Sequence, residues 1–310
     1  MATITAHGTQ EVRQRRKPAA PYLLLIPAVA VLLLGLGYPV YWQIVTSFQE
    51  FGLAQQFGSA PPTFAGLDNY ARIFSDSTAF AVVVRSIIFC LVNAGLTVIL
   101  GLAFALLMRA VHGWAKVVLQ IALLLAWATP VIAAVTVFRW LFNDQYGVIN
   151  WLLVKMGLTG FRGHVWTATP LSFFLVATII IVWMSVPFVA LSLFAGLTQV
   201  NDELLEAARI DGANKTQILW RIIMPLVRPV LAIVLLLQII WDLRVFAQIK
   251  LLQDAGAPIA ETNLLGNFIY DLGMNRNNFG GAAAVAIFVL LLTVVLSAPY
   301  VRSLLKEDES

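Results

Sequence analysis

Apolar residues run almost unbroken through six stretches of the chain, roughly 22–48, 79–108, 117–142, 171–197, 229–249 and 282–301, with polar residues gathered between them. The hydrocarbon core of a bilayer is about 30 Å thick, and about 20 helical residues cross it. Each stretch is long enough. Inside lipid no water is present to satisfy backbone N–H and C=O groups, so each crossing segment must be helical. The pattern predicts an all-α polytopic membrane protein with six transmembrane helices. The first stretch follows a basic cluster (Arg13, Arg15, Arg16, Lys17) but far exceeds a signal-peptide core of about 7–15 residues, so it reads as a retained span. No long linker or repeat divides the chain. One membrane domain over 21–305 is expected, with a basic tail at 1–20 and a short tail at 306–310.

Composition removes the soluble alternatives. Apolar residues make up 60% of the chain and charged residues 12%, against about 45–50% and about 25% in soluble domains. Mean hydropathy is +0.85. The single cysteine, Cys90, excludes a disulfide framework, and His7, His112 and His164 are too scattered for a metal site. A net charge of +4 does not point to nucleic acid, because the basic residues sit at the ends of apolar stretches. Their distribution sets topology instead. Arg13, Arg15, Arg16, Lys17, Arg109, Lys116, Arg209, Lys215, Arg221, Arg302 and Lys306 fall on one side. Arg72, Lys155, Arg162, Lys250 and Arg276 fall on the other, with Arg139 near a span end. The excess predicts both termini in the cytoplasm of a multi-pass cell-membrane protein. Loops at 49–78, 143–170 and 250–281 are then external.

The internal connection at 198–228 is more than a loop. Asn201 suits a helix N-cap, followed by Asp202, Glu203 and Glu206 where the positive end of the helix dipole favours acids. Leu204, Leu205 and Ala208 form a short apolar stripe, and Gly212 suits the left-handed residue just past a helix end. A second helical stretch is expected over 213–223, before Pro225 and Pro229 restart the chain as the fifth span. Membrane-surface helices are usually rich in Lys and Arg, whereas this one has an acidic front. Docking on a protein is the stronger reading.

Here a resemblance becomes specific. Glu206-Ala207-Ala208, three residues, Gly212, nine residues, then Ile222-Ile223-Met224-Pro225 is similar to the E-A-A-x3-G-x9-I-x-L-P signature. That signature belongs to permease subunits of binding-protein-dependent ATP-binding-cassette (ABC) importers. Met224 in place of Leu is a volume-conserving departure. Pro21-Tyr22 through Pro27, Tyr38-Pro39, Ser47-Phe48, the 64–70 run and Trp241-Asp-Leu-Arg-Val-Phe246 resemble carbohydrate-type permeases, so the likeness covers nearly the whole chain. The residues around Thr262-Asn263 look most like importers of trehalose or related disaccharides.

The resemblance implies a cytoplasmic coupling helix at about 201–212 that seats in a groove of an ATPase subunit, with Glu206, Ala207, Ala208, Asp211, Gly212 and Pro225 at the contact. ATP and magnesium would belong to two partner ABC subunits, leaving this chain without a cofactor and without catalysis of its own. No G-x-x-x-x-G-K-[ST] phosphate loop occurs in it. A second, similar permease subunit would complete the pathway as a heterodimer. An extracytoplasmic sugar-binding protein would dock on the external loops, and transport would proceed by alternating access.

Polar groups inside spans each invite an explanation, since a charge at helix centre costs about 2.5–3.5 kcal/mol on insertion scales. Arg85, Asp242 and Arg244, with Arg139 near the same level, form a candidate polar layer. An ion pair of Asp242 with Arg85 and contact with solute stand as even alternatives. Asn93, Gln238, Asn263 and Gln120 are uncharged candidates for sugar hydroxyls, and Trp241, Phe246, Trp183 and Phe188 are candidate aromatic platforms. Ordinary interhelical packing competes with every one of these roles. Pro187 predicts a kink in the fourth span. The remaining rivals are glycerol phosphate or oligosaccharide as cargo, and a self-contained carrier or channel. The last would need no coupling helix.

Overall fold

The computed structural model describes residues 20–307; residues 1–19, with the basic cluster Arg13, Arg15, Arg16 and Lys17, and residues 308–310 lie outside the described residues. The chain divides into two units, residues 1–45 and 46–310. In the first, α1 (Ala20–Leu32) passes through a π-helical stretch (Leu33–Gly37) into α2 (Tyr38–Ser47). From Leu24 to Ser47 it is long and apolar enough to cross a membrane.

The second unit opens with a two-stranded antiparallel ribbon, β1 (Gln49–Glu50) and β2 (Thr63–Phe64), around the short α3 (Leu53–Gln56). α4 (Asp68–Ser75) follows, and Asp76 caps α5 (Ser77–Ala110) by accepting from the Thr78 N–H at 2.8 Å. After α6 (Trp114–Trp127), α7 (Val131–Leu141) and α8 (Val148–Lys155) comes α9 (Pro170–Leu197), with Thr169 as cap and Pro170 in the first turn. α10 (Asp202–Ile210) and α11 (Lys215–Ile218) lead through a π-helical turn (Leu219–Ile223) into α12 (Met224–Leu243). Three short helices, α13 (Ala247–Gln253), α14 (Ile259–Thr262) and α15 (Leu265–Tyr270), precede α16 (Phe279–Glu307). Helix dominates as expected.

Two expected spans differ in shape. The third is not one straight helix: α6 and α7 meet at a bend of 99°. Pro130 is the reason. It lacks an N–H and pushes the preceding Thr129 out of the helical region, and its own backbone is extended at ψ 139°. Counted as one broken span, this pair brings the helices able to cross to six among the described residues. The fourth span runs as one continuous helix with Pro187 inside it. The fifth does not restart at Pro225 or Pro229. Helix runs through both from Lys215 and breaks further on, at Arg244–Phe246.

The bundle is organised on α5 against α9. Gly101 makes that close approach possible, since a Cβ there would lie 2.5 Å from Val189 Cγ1 and 3.3 Å from the Ala190 nitrogen. One core gathers Phe89, Val135, Phe173, Val176, Ile180 and Ile249. Another gathers Ala105, Val189, Leu193, Leu197, Val227 and Val234. Outward faces carry exposed Ile88, Ile99, Ile121, Leu125, Leu291 and Val294, the side chains that lipid would solvate.

Candidate functional site

Between α9 and α12 the chain builds a small projecting element. Asn201 accepts from the Glu203 N–H at 3.0 Å, capping α10 as its residue type predicts. Gly212 closes the helix at φ +85°, a conformation other residues adopt only with strain. Leu205 is buried with Leu197, Val200, Ile218 and Ile223, and removing such a side chain from water is worth about 1.5–3 kcal/mol. Arg109, at the end of α5, clamps the entry. Its guanidinium donates to the carbonyls of Leu197 (3.2 Å) and Val200 (3.3 Å) and pairs with Asp202 at 2.8 Å. Ala208 packs against the same core as Leu205, and most of the rest of α10 is exposed. Glu206, Ala207 and Asp211 are exposed, Ala208 half-buried, Leu204 exposed and Ile210 86% exposed. Pro225 lies exposed at the start of α12, and a cavity of about 250 Å³ opens between Gly212 and Arg221.

Among the described residues the charged groups of the spans are not paired with one another: no ion pair joins Arg85, Arg139, Asp242 or Arg244. Asp242 is buried and accepts from Gln238 Nε2 at 2.9 Å, one helical turn back on α12. Arg85 Nη1 donates to the carbonyls of Asn263 (3.0 Å) and Ala260 (3.4 Å). Arg244 is exposed at the helix break, and Arg139 borders a cavity of about 170 Å³ with Asp144 and Trp166. Asn93 is fully buried and donates to the Phe89 carbonyl at 2.7 Å. Asn263 points inward, accepting from Gln253 Nε2 at 2.9 Å. So Asn93, Gln238, Asp242 and Asn263 lie inside the subunit, whereas Trp241 and Arg244 are exposed and Phe246 is half-buried.

Ser86, Gln253 and Trp127 were not singled out in the sequence. Ser86 Oγ accepts from the Leu265 N–H at 2.8 Å, and Gln253 also donates to Thr262 Oγ1 at 3.1 Å. Trp127 stacks on Phe188 (6.0 Å between centroids), which packs edge-on to Trp241 (5.1 Å). These partners lie far apart along the chain, so no spacing announces them. Arg109 had been visible only as a topology marker.

Residues 97–302, a stretch that includes α10, match the family model described as binding-protein-dependent transport system inner membrane component. The chain belongs to this family. It is a permease subunit of an ABC importer. The diacetylchitobiose uptake system permease protein DasB of Streptomyces coelicolor is 40% identical over 290 residues, covering 94% of this chain and 88% of that one. The trehalose/maltose transport system permease protein MalF of Thermococcus litoralis is 34% identical, covering 91% and 92%. In fold, the permease subunit is similar to a chain of a bacterial alginate ABC transporter crystallised with an alginate pentasaccharide-bound periplasmic protein. The TM-score is 0.76, at 20% identity and with 91% and 92% coverage. Permease subunits are transport components, and the chemistry of ATP belongs elsewhere.

Proposed function

We propose that this permease forms half of the translocation pathway of an ATP-driven, binding-protein-dependent sugar importer, with a disaccharide as cargo. The carrying observation is α10: capped, clamped by Arg109, anchored by Leu205, and otherwise presenting bare apolar, small and acidic side chains. In this reading Glu206, Ala207, Ala208, Asp211 and Gly212 meet an ATPase subunit on the cytoplasmic side, where both termini also lie, and Pro225 sets the start of the helix behind them. A second, non-identical permease completes the pathway, and a sugar-binding protein docks on the opposite face.

Sugars offer hydroxyl edges and C–H faces, and the pathway wants aromatic platforms beside polar groups. The row Trp127–Phe188–Trp241 crosses three helices and keeps Trp127 and Trp241 exposed. We assign it the stacking role, with Arg244 and Phe246 next to it and the buried Asn93, Gln238, Asp242 and Asn263 holding these helices from behind. The names of the two curated relatives support disaccharides as a class and do not favour trehalose over diacetylchitobiose.

The test is uptake of labelled diacetylchitobiose, trehalose and maltose by the reconstituted transporter. At least one should be taken up only with ATP and all subunits present. Glu206→Lys should cut that uptake by more than about tenfold at unchanged membrane abundance, because like charges set against each other at an interface cost several kcal/mol. Uptake that persists without the ATPase subunits, or transport of none of the three sugars, would overturn the reading.

A further inference from the structure

α5 and α9 leave an open groove of about 760 Å³ on their outward side. One wall is a ridge of residues four apart on α5, Val84, Ile88, Val92 and Leu96, and the other includes Leu171 and Leu175 of α9. All six are exposed. A single charge borders this apolar trough, the guanidinium of Arg85. Nη1 is committed to the carbonyls of Asn263 and Ala260, while Nη2 and Nε make no hydrogen bond among the described residues. Glu261 is the acidic side chain nearest in influence, and it forms no ion pair with Arg85.

Depth adds a second, independent constraint. α5 has 34 residues and is about 51 Å long, so with a hydrocarbon core of about 30 Å it overhangs by about 10 Å at each end. Seven residues cover that overhang, which brings Arg85 to the boundary between headgroups and hydrocarbon. From Arg85 to Leu96 the helix descends about 16 Å, close to one leaflet's half of the core. The groove therefore has one leaflet's length, apolar walls, and a cation with free donors at its polar rim.

We propose that this groove holds a phospholipid, with its phosphodiester on Arg85 Nη2 and Nε and one acyl chain lying along Val84, Ile88, Val92 and Leu96. Planar guanidinium donors match phosphate oxygens. A chain seated in the trough packs against both walls. Arg85 then has two duties in one place: two of its donors face lipid while the third orders the Ala260–Asn263 turn. The assignment does not depend on which sugar is carried.

The experiment uses the complete transporter in phosphatidylcholine vesicles doped with phosphatidylglycerol that bears a photoactivatable diazirine on one acyl chain. After illumination, labelled peptides are mapped by mass spectrometry. Labelling should concentrate on 88–96 and 171–178, relative to the exposed face of α16. A diacylglycerol with the same chain, lacking phosphate, should label the groove about fivefold less, the effect of losing one basic contact near the membrane surface. Arg85→Gln should lower phosphatidylglycerol labelling by a similar factor, and Arg85→Lys should retain most of it. Val92→Trp, which fills the trough without touching the Arg85 bonds, should remove groove labelling even if Arg85→Gln fails to assemble. Equal labelling of groove and α16, indifference to the phosphate or to Val92→Trp, or cross-links from the groove to the second permease subunit would overturn the proposal.

Discussion

The two interrupted segments of this permease, 198–223 between α9 and α12 and 244–270 beyond α12, solve opposite problems. In 198–223 the polar side chains act at helix ends: Asn201 and Asn214 cap, and Arg109 holds the entry carbonyls. The apolar Leu204 and Ile210 are left bare. In 244–270 the polar side chains turn inward. Gln253 reaches Thr262 and Asn263, Asn267 donates to the Phe246 carbonyl at 3.2 Å, and Ser86 takes the Leu265 N–H. The first segment is complete as a fold and incomplete as a surface. The second is a broken helix in which side chains of the same subunit take up the Phe246 carbonyl and the Leu265 N–H. The direction in which polar groups point thus separates a segment that leaves apolar side chains bare from one that holds a bend.

The sharpest way to break this contrast is Gln253→Leu. It leaves Asn263 Oδ1 buried without its donor, a loss of about 1–3 kcal/mol. Thermal unfolding of the purified subunit assembly should move down clearly; an unchanged midpoint would mean that the 244–270 network does not carry the bend. A smaller effect is expected from Asn201→Ala. Loss of the cap costs about 1 kcal/mol and frays α10, so ATPase stimulation by loaded binding protein should fall further than thermal stability does. Smallest in stability is Ile210→Ser, within about 0.5 kcal/mol, because the side chain touches little in the isolated chain. Its uptake rate should nevertheless fall. Equal uptake at equal abundance would show that the bare apolar face of α10 has no partner.

How much of this was legible differs along the chain. Span positions, the cap at Asn201 and the left-handed Gly212 follow from local chemistry, and each was readable from a few neighbouring residues. The bend at Pro130 was also local; in a long apolar run the hydropathy signal hid the missing N–H. At Pro187 the same residue type sits inside a continuous helix, so a proline by itself does not announce a break. Asn263 and Asp242 stand out because polar groups are rare in spans; the structure adds that Gln253 and Gln238 each donate one hydrogen bond to them.

By itself the sequence determined a bundle of apolar helices and a short capped helix between α9 and α12, since hydrophobic length and capping chemistry act over a few residues at a time. Only the tertiary structure decided that Arg85 serves a turn 175 residues away, that Gly101 lets α5 lie against α9, and that Trp127, Phe188 and Trp241 share one row. Those facts depend on which helix faces meet. In lipid, where apolar surfaces gain little by preferring one another over acyl chains, that choice rests on close packing and on a few interhelical hydrogen bonds whose partners no local pattern reveals.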